Sequence, residues 1–172
     1  MKYQTGGIPE RRRPMRIAVT GHVDVDAKWV SAALTLRLMQ YLGQRVEGIT
    51  CLARGADQLF AQVVLALSGT IEVVLPAKDY IDAMKDSADG EGFCSLLDQA
   101  TDVQTMPFEQ SSRDAYLAAS ETMLSTCDLL LAVWDGHPSQ EVGDTADVVT
   151  KALARAVPVE VIWPVGGSRT GR

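Results

Sequence analysis

Proton transfer, phosphate recognition and sugar recognition call for side chains that this chain carries at three glycine-bearing corners. In Thr20-Gly21-His22, Gly21 lets the backbone come close to a ligand and the His22 ring can donate to a phosphate or ribose oxygen. In Ala53-Arg54-Gly55-Ala56-Asp57, a small-residue turn offers backbone donors, Arg54 can fork onto an anionic oxygen, and Asp57 can orient Arg54 or accept from a sugar hydroxyl. The third corner runs from Trp134-Asp135-Gly136 to Gly143-Asp144-Thr145, where Asp135 suits a sugar hydroxyl and Thr145 can cap a helix or meet a phosphate. Hydrolysis would draw on the same places, with Asp135 or Asp147 as acid or nucleophile and His22 as proton carrier. Arg113 could cover the ligand and Tyr116 could stack on it.

Each feature also has a plainer reading. Gly21 fits any tight strand-to-helix turn, Arg54 and Asp57 could be a surface pair with Asp57 in a favourable first helical turn, and Arg113 and Tyr116 could serve packing. Recurrence tips the balance. Strand ends in an open parallel sheet converge, and a ligand site forms where strand order reverses and helix N-termini face one crevice. Binding is therefore better supported than catalysis.

The elements that must position these residues follow from periodicity. Arg16 to Thr20 reads as a strand, and apolar residues Trp29, Ala33, Leu36, Leu38 and Tyr41 recur at helical spacing over Asp26 to Tyr41. Val46 to Leu52 is a second strand and Ala56 to Leu67 a second helix. Ile71 to Leu75 and Val103 to Met106 are short strands, each closed by a proline. Between them, polar Asp79 to Asp102 reads as short helices and a loop, divided at Gly90 and Gly92. Arg113 to Thr126 is a helix, Asp128 to Trp134 a buried strand, Thr145 to Ala156 a helix and Val159 to Trp163 a last strand. Strands rich in Val, Ile and Leu without polar alternation are expected where helices cover both faces of a sheet. The reading is a three-layer, Rossmann-like, doubly wound α/β domain with a mainly parallel sheet over residues 15–164, with a flexible leader at 1–14 and a flexible tail at 165–172.

Composition sets the bounds. A chain of 172 residues with 47% hydrophobic content can build a core without disulfides or metals. Cys51, Cys94 and Cys127 are odd in number and widely spaced, which suggests a reducing compartment and no zinc site. Asp24 and Asp26 lie near His22, but one nitrogen ligand is a poor basis for a metal, and neither metal nor cofactor is expected. No run approaches the roughly 20 apolar residues of a membrane span, so the expectation is a cytoplasmic protein without a membrane partner. A net charge of −6 argues against broad nucleic-acid binding, and Arg11, Arg12 and Arg13 read as a solvated leader.

With these residues in place, the chain resembles the SLOG superfamily, the Rossmann-like domains related to the Lonely Guy phosphoribohydrolases, often mislabelled lysine decarboxylases, and to the DNA-processing protein A fold. The likeness rests on Val19-Thr-Gly21, Ala53-Arg-Gly-Ala-Asp57, Leu130-Leu-Ala-Val-Trp-Asp-Gly136 and Gly143-Asp-Thr-Ala-Asp-Val-Val149, spread over most of residues 15–163. It implies a nucleotide or nucleotide-derived ligand at the strand C-termini and a homo-oligomer, often a homodimer. Lonely Guy enzymes carry Pro-Gly-Gly-x-Gly-Thr-x-x-Glu, whose glutamate serves N-glycosidic hydrolysis. Here Asp144 replaces the glycine before Thr145, and Val148 stands at the glutamate position. Asp147 is one residue away, a rotation of about 100° on a helix.

Overall fold

Side-chain alternation along two strands decides the architecture. β1 (Met15–Gly21) sends Ile17 and Val19 into one apolar cluster and Ala18 into another. β5 (Leu129–Val133) does the same, with Leu129, Leu131 and Val133 on one side and Leu130 and Ala132 on the other. Strands buried on both faces must be covered on both. In the computed structural model, which describes residues 13–137 and 144–167, helices do so. α1 (Ala27–Leu38), α2 (Ala56–Ala66), α3 (Tyr80–Lys85) and α4 (Gly90–Asp98) supply Leu34, Phe60, Tyr80 and Phe93 to the first layer. α5 (Arg113–Thr126) and α6 (Thr145–Ala154) supply Met123 and Val149 to the second.

β2 (Val46–Thr50), β3 (Thr70–Leu75), β4 (Asp102–Thr105) and β6 (Val159–Val161) complete a six-stranded, all-parallel sheet in the order β4-β3-β2-β1-β5-β6. From β1 the chain steps outward through β2, β3 and β4, then returns to place β5 on the other side of β1. Strand order thus reverses between β1 and β5, where Gly21 is in register with Val133. The helices of the two halves cover opposite faces, the arrangement in which a ligand crevice forms beyond the C-terminal ends of the strands. The opposite, N-terminal ends of β1, β2 and β3 are tied by an ion ladder, in which Arg16 donates to Glu47 Oε2 at 2.5 Å and Glu72 Oε2 at 2.6 Å.

The sequence-based boundaries shift where the backbone turns. The second strand stops at Thr50 because Leu52 adopts φ 55°. The last helix stops at Ala154, and Ala156 at φ 57° reverses the chain. The first helix gives way to a 3-10 turn at Met39–Tyr41. The polar Asp79 to Asp102 segment resolves into α3 and α4.

Candidate functional site

His22 binds the three corners together. Its N–H donates to Val133 O at 3.1 Å at the end of β5, and its carbonyl accepts from Ala56 N at 3.2 Å at the start of α2. Its Nε2 lies 3.2 Å from Asp135 Oδ1 and 3.4 Å from the Asp135 amide nitrogen. One residue therefore offers a partner to either form of the ring: the amide donates to a bare Nε2, and the carboxylate accepts from a protonated one. The ring stands edge-on to Trp163, with centroids 5.5 Å apart. Asp135 Oδ1 also accepts from the His137 amide at 3.1 Å, and Trp134 Nε1 donates to His137 O at 2.9 Å, so the corner after β5 is closed by its own side chains.

The glycines of the first two corners serve close packing within the protein. A Cβ on Gly21 would collide with Ala56 Cβ and come 2.8 Å from Val133 Cβ. A Cβ on Gly55 would collide with the Val23 carbonyl and come 2.7 Å from His22 O, and its φ of 79° independently favours glycine. Gly136 has the same φ of 79°, but among the described residues nothing lies within 4 Å of where its Cβ would be. Of these three corner glycines, Gly136 is the one whose Cβ position no other described residue crowds.

The turn after β2 is held from below. Thr50 Oγ1 accepts from Leu52 N and donates to Asp57 Oδ2, both at 3.0 Å; Cys51 N donates to the same oxygen at 3.2 Å, and Gln58 Nε2 donates to Leu52 O at 3.3 Å. Asp57 is 6% exposed. Burial pushes its carboxyl up to about 6, against the pull of bonds from Thr50, Cys51 and Ala53. Burial, joined by the Asp57 charge, also pushes the Cys51 thiol up, away from thiolate chemistry. Amides of this turn that a phosphate would otherwise meet are thus engaged by the protein's own carboxyl group. Arg54 pairs with Asp89, Nε to Oδ2 at 2.7 Å, rather than with Asp57, and its side chain is half-exposed.

At α6, Asp144 rather than Thr145 is the N-cap, accepting from Ala146 N at 3.1 Å and Asp147 N at 3.3 Å. Thr145 and Val148 are buried, and Asp147 is partly exposed. Gly143, expected to face a phosphate, lies outside the described residues. Across the crevice, Ser112 caps α5 by accepting from Ala115 N at 3.2 Å, and Arg113 follows, exposed. Tyr116 rests edge-on against Tyr80, centroids 6.2 Å apart, and keeps an open face. Thr50, Asp89, Asp144 and Trp163 escaped the sequence reading as site-building residues. Asp144 carried a legible signal, since Asp before a helix is a preferred cap; Trp163 needed the sheet order, which alone brings β6 beside β5.

A cavity of about 340 Å³ sits at the other end of the strands, before β2 and β3, lined by Leu38, Leu42, Arg45, Val64 and Gly69 among others. Among the described residues, no three His, Cys, Asp or Glu side chains gather as metal ligands would, and no helix is long and apolar enough to cross a membrane.

Solved structures share this arrangement. DNA processing protein A from Helicobacter pylori superposes with a TM-score of 0.65 at 12% identity, covering 91% of this chain and 69% of that one. The same protein from Streptococcus pneumoniae gives 0.64 at 16% identity over 88% of this chain. The molybdenum cofactor binding protein from Rippkaea orientalis gives 0.55 at 17% identity, covering 87% and 76%. What these structures share with the chain is the fold, a Rossmann-like α/β arrangement around a parallel sheet. The chain spans 51% of the length of the pneumococcal protein. No family model and no curated protein matches the sequence.

Proposed function

We propose that the crevice between the ends of β1, β2 and β5 binds a nucleotide or nucleotide-derived small molecule. The observation that carries this reading is the joining of three corners through His22 at the place where strand order reverses, with Gly136 left open beside them. In this reading Asp135 accepts from a sugar hydroxyl, Tyr116 stacks, and Arg54 meets the phosphate with Arg113 as cover. Gly21, Gly55 and Asp57 act by shaping the corner. The start of α6, with Thr145 buried and Asp144 spending its carboxylate on the first amides, is the poorer phosphate seat. Support from the neighbours is of the same general kind, since one of them binds molybdenum cofactor according to its name.

Calorimetric titration of a nucleotide panel tests the reading. Arg54→Ala is expected to weaken binding roughly 10- to 100-fold, the worth of a charged hydrogen bond of about 1.5–3 kcal/mol. An Arg54→Ala protein that binds as well as wild type counts against it.

A hydrolytic reading, cleavage of the N-glycosidic bond of a nucleoside monophosphate, is favoured by one observation: Asp135 has a partner for both protonation states of His22, as a proton carrier needs. Release of free base by wild type but not by Asp135→Asn would establish it. A DNA-associated role has the Helicobacter neighbour's single-stranded DNA binding in its favour and the net charge of −6 against it. A mobility-shift assay at low salt separates it from the first reading.

A further inference from the structure

The turns that lead into β2 and β3 enclose the cavity at the N-terminal ends of these strands, away from the crevice. Its walls are aliphatic. Leu38 and Val64, each 1% exposed, form the deep side, and Leu42, 58% exposed, stands at the mouth. Among the described residues that line it, Arg45 alone is charged. Arg13, Arg16, Arg37 and Arg54 each reach a carboxylate, whereas among the described residues Arg45 has no ion-pair partner. Its backbone is held in place, since Arg45 O accepts from Met15 N at 2.8 Å.

We propose that this cavity is a second binding site, for a small carboxylate carried on an apolar body, an aryl or alkyl acid. Loose packing does not account for the space. A Cβ on Gly69 would come 2.7 Å from Val64 Cγ1 and 2.9 Å from Val46 O, so the turn beside the cavity is already close-packed. A volume of about 340 Å³ lies at the lower end of the roughly 300–1,000 Å³ of small-molecule sites. Charge selects an anion. The carbonyls that would suit a cation are taken within the turns: Leu65 O accepts from Ser68 N at 3.0 Å, Val64 O from Gly69 N at 2.9 Å, and Tyr41 O from Gln44 N at 3.0 Å. Arg45 offers the planar fork that matches a carboxylate. The aliphatic walls then decide what carries it. An apolar body displaces water from Leu38, Val46 and Val64, while a sugar or a second phosphate would lose its hydration there without recompense.

Amide NMR of the full chain, titrated with phenylacetate, uncharged phenylacetamide and inorganic phosphate in turn, tests the proposal. Phenylacetate is expected to shift Leu42, Arg45 and Gly69 saturably and to leave Gly21, His22 and Gly136 unmoved. Phenylacetamide is expected to bind roughly 10-fold more weakly, the lower end of what a charged hydrogen bond contributes, and phosphate not at all. Arg45→Gln is expected to remove the preference for the acid over the amide, and Arg45→Lys to keep most of it. Leu42→Glu, which sets a like charge at the mouth, is expected to weaken phenylacetate at least 10-fold with an unchanged melting curve, since Leu42 is outside the core. No shifts at these residues, acid and amide bound alike, phosphate as effective as phenylacetate, or an Arg45→Gln protein that still prefers the acid would each overturn it. The crevice has no part in this site, so the nucleotide titration fails or succeeds separately.

Discussion

The corner after β2 and the corner after β5 both turn on a glycine at φ 79°, yet they are built for opposite ends. Around Gly55 the chain is closed: His22 and Val23 press on it from above, and Thr50, Asp57 and Gln58 bind the turn from below. Around Gly136 no other described residue comes within 4 Å of the Cβ position, and Asp135 and Trp134 hold the turn from its flank. One dihedral angle thus serves packing in one corner and clearance in the other. A glycine in a strand-end motif does not by itself locate a ligand; what surrounds the absent Cβ does.

The difference can be broken most forcefully at Gly55. Gly55→Ala combines a backbone strain of about 1–3 kcal/mol with a collision of similar cost, a loss of about 2–6 kcal/mol in urea unfolding. Gly136→Ala should cost only the strain, about 1–2 kcal/mol, and an equal loss at the two positions would erase the contrast.

Next in size is Asp57. Asp57→Ala leaves buried donors of Thr50 and Cys51 without an acceptor, worth roughly 3 kcal/mol. Asp57→Asn separates charge from shape. Because the folded carboxyl titrates at about 6, above its ordinary value of 3.8, its favourable contribution is complete below about pH 4 and lost as pH rises through 6. Wild-type stability should therefore carry a downward component across that window, on the order of 1–3 kcal/mol, which Asp57→Asn removes. Denaturation at a series of pH values reads it out, and an unchanged slope in the variant would contradict the assignment.

The smallest expected effect on stability is at Arg54. Its ion pair with Asp89 is half-exposed on both sides, so Arg54→Ala should cost less than about 1 kcal/mol while weakening nucleotide binding. A large stability loss would move Arg54 from the ligand to the scaffold.

What was legible in the sequence follows the same division. The sheet and its two helical layers were readable because apolar strands such as Leu129–Val133 have no other solution than double coverage. α5 was readable to the residue because Ser112 supplies a cap before Arg113 and Cys127 leaves the helical region after Thr126. The partners of charged side chains were not. Asp57 is two residues from Gly55 and three from Arg54, and sequence proximity suggested a pair; the turn at Leu52 instead points the carboxyl inward, and Arg54 reaches Asp89, 35 positions away. The buried face of α1 was hidden for a related reason. Trp29 and Leu36 recur at helical spacing yet are exposed, and burial alone separates them from Val30 and Leu34.

Backbone amide NMR during nucleotide titration distinguishes the crevice from the cavity, because the two ends of the strands answer separately. Shift changes are expected at Gly21, His22, Arg54, Asp135 and Gly136, with Leu42, Arg45 and Gly69 around the opposite cavity unmoved. Changes gathered at that cavity, or none anywhere across the panel, would contradict the crevice as the nucleotide site.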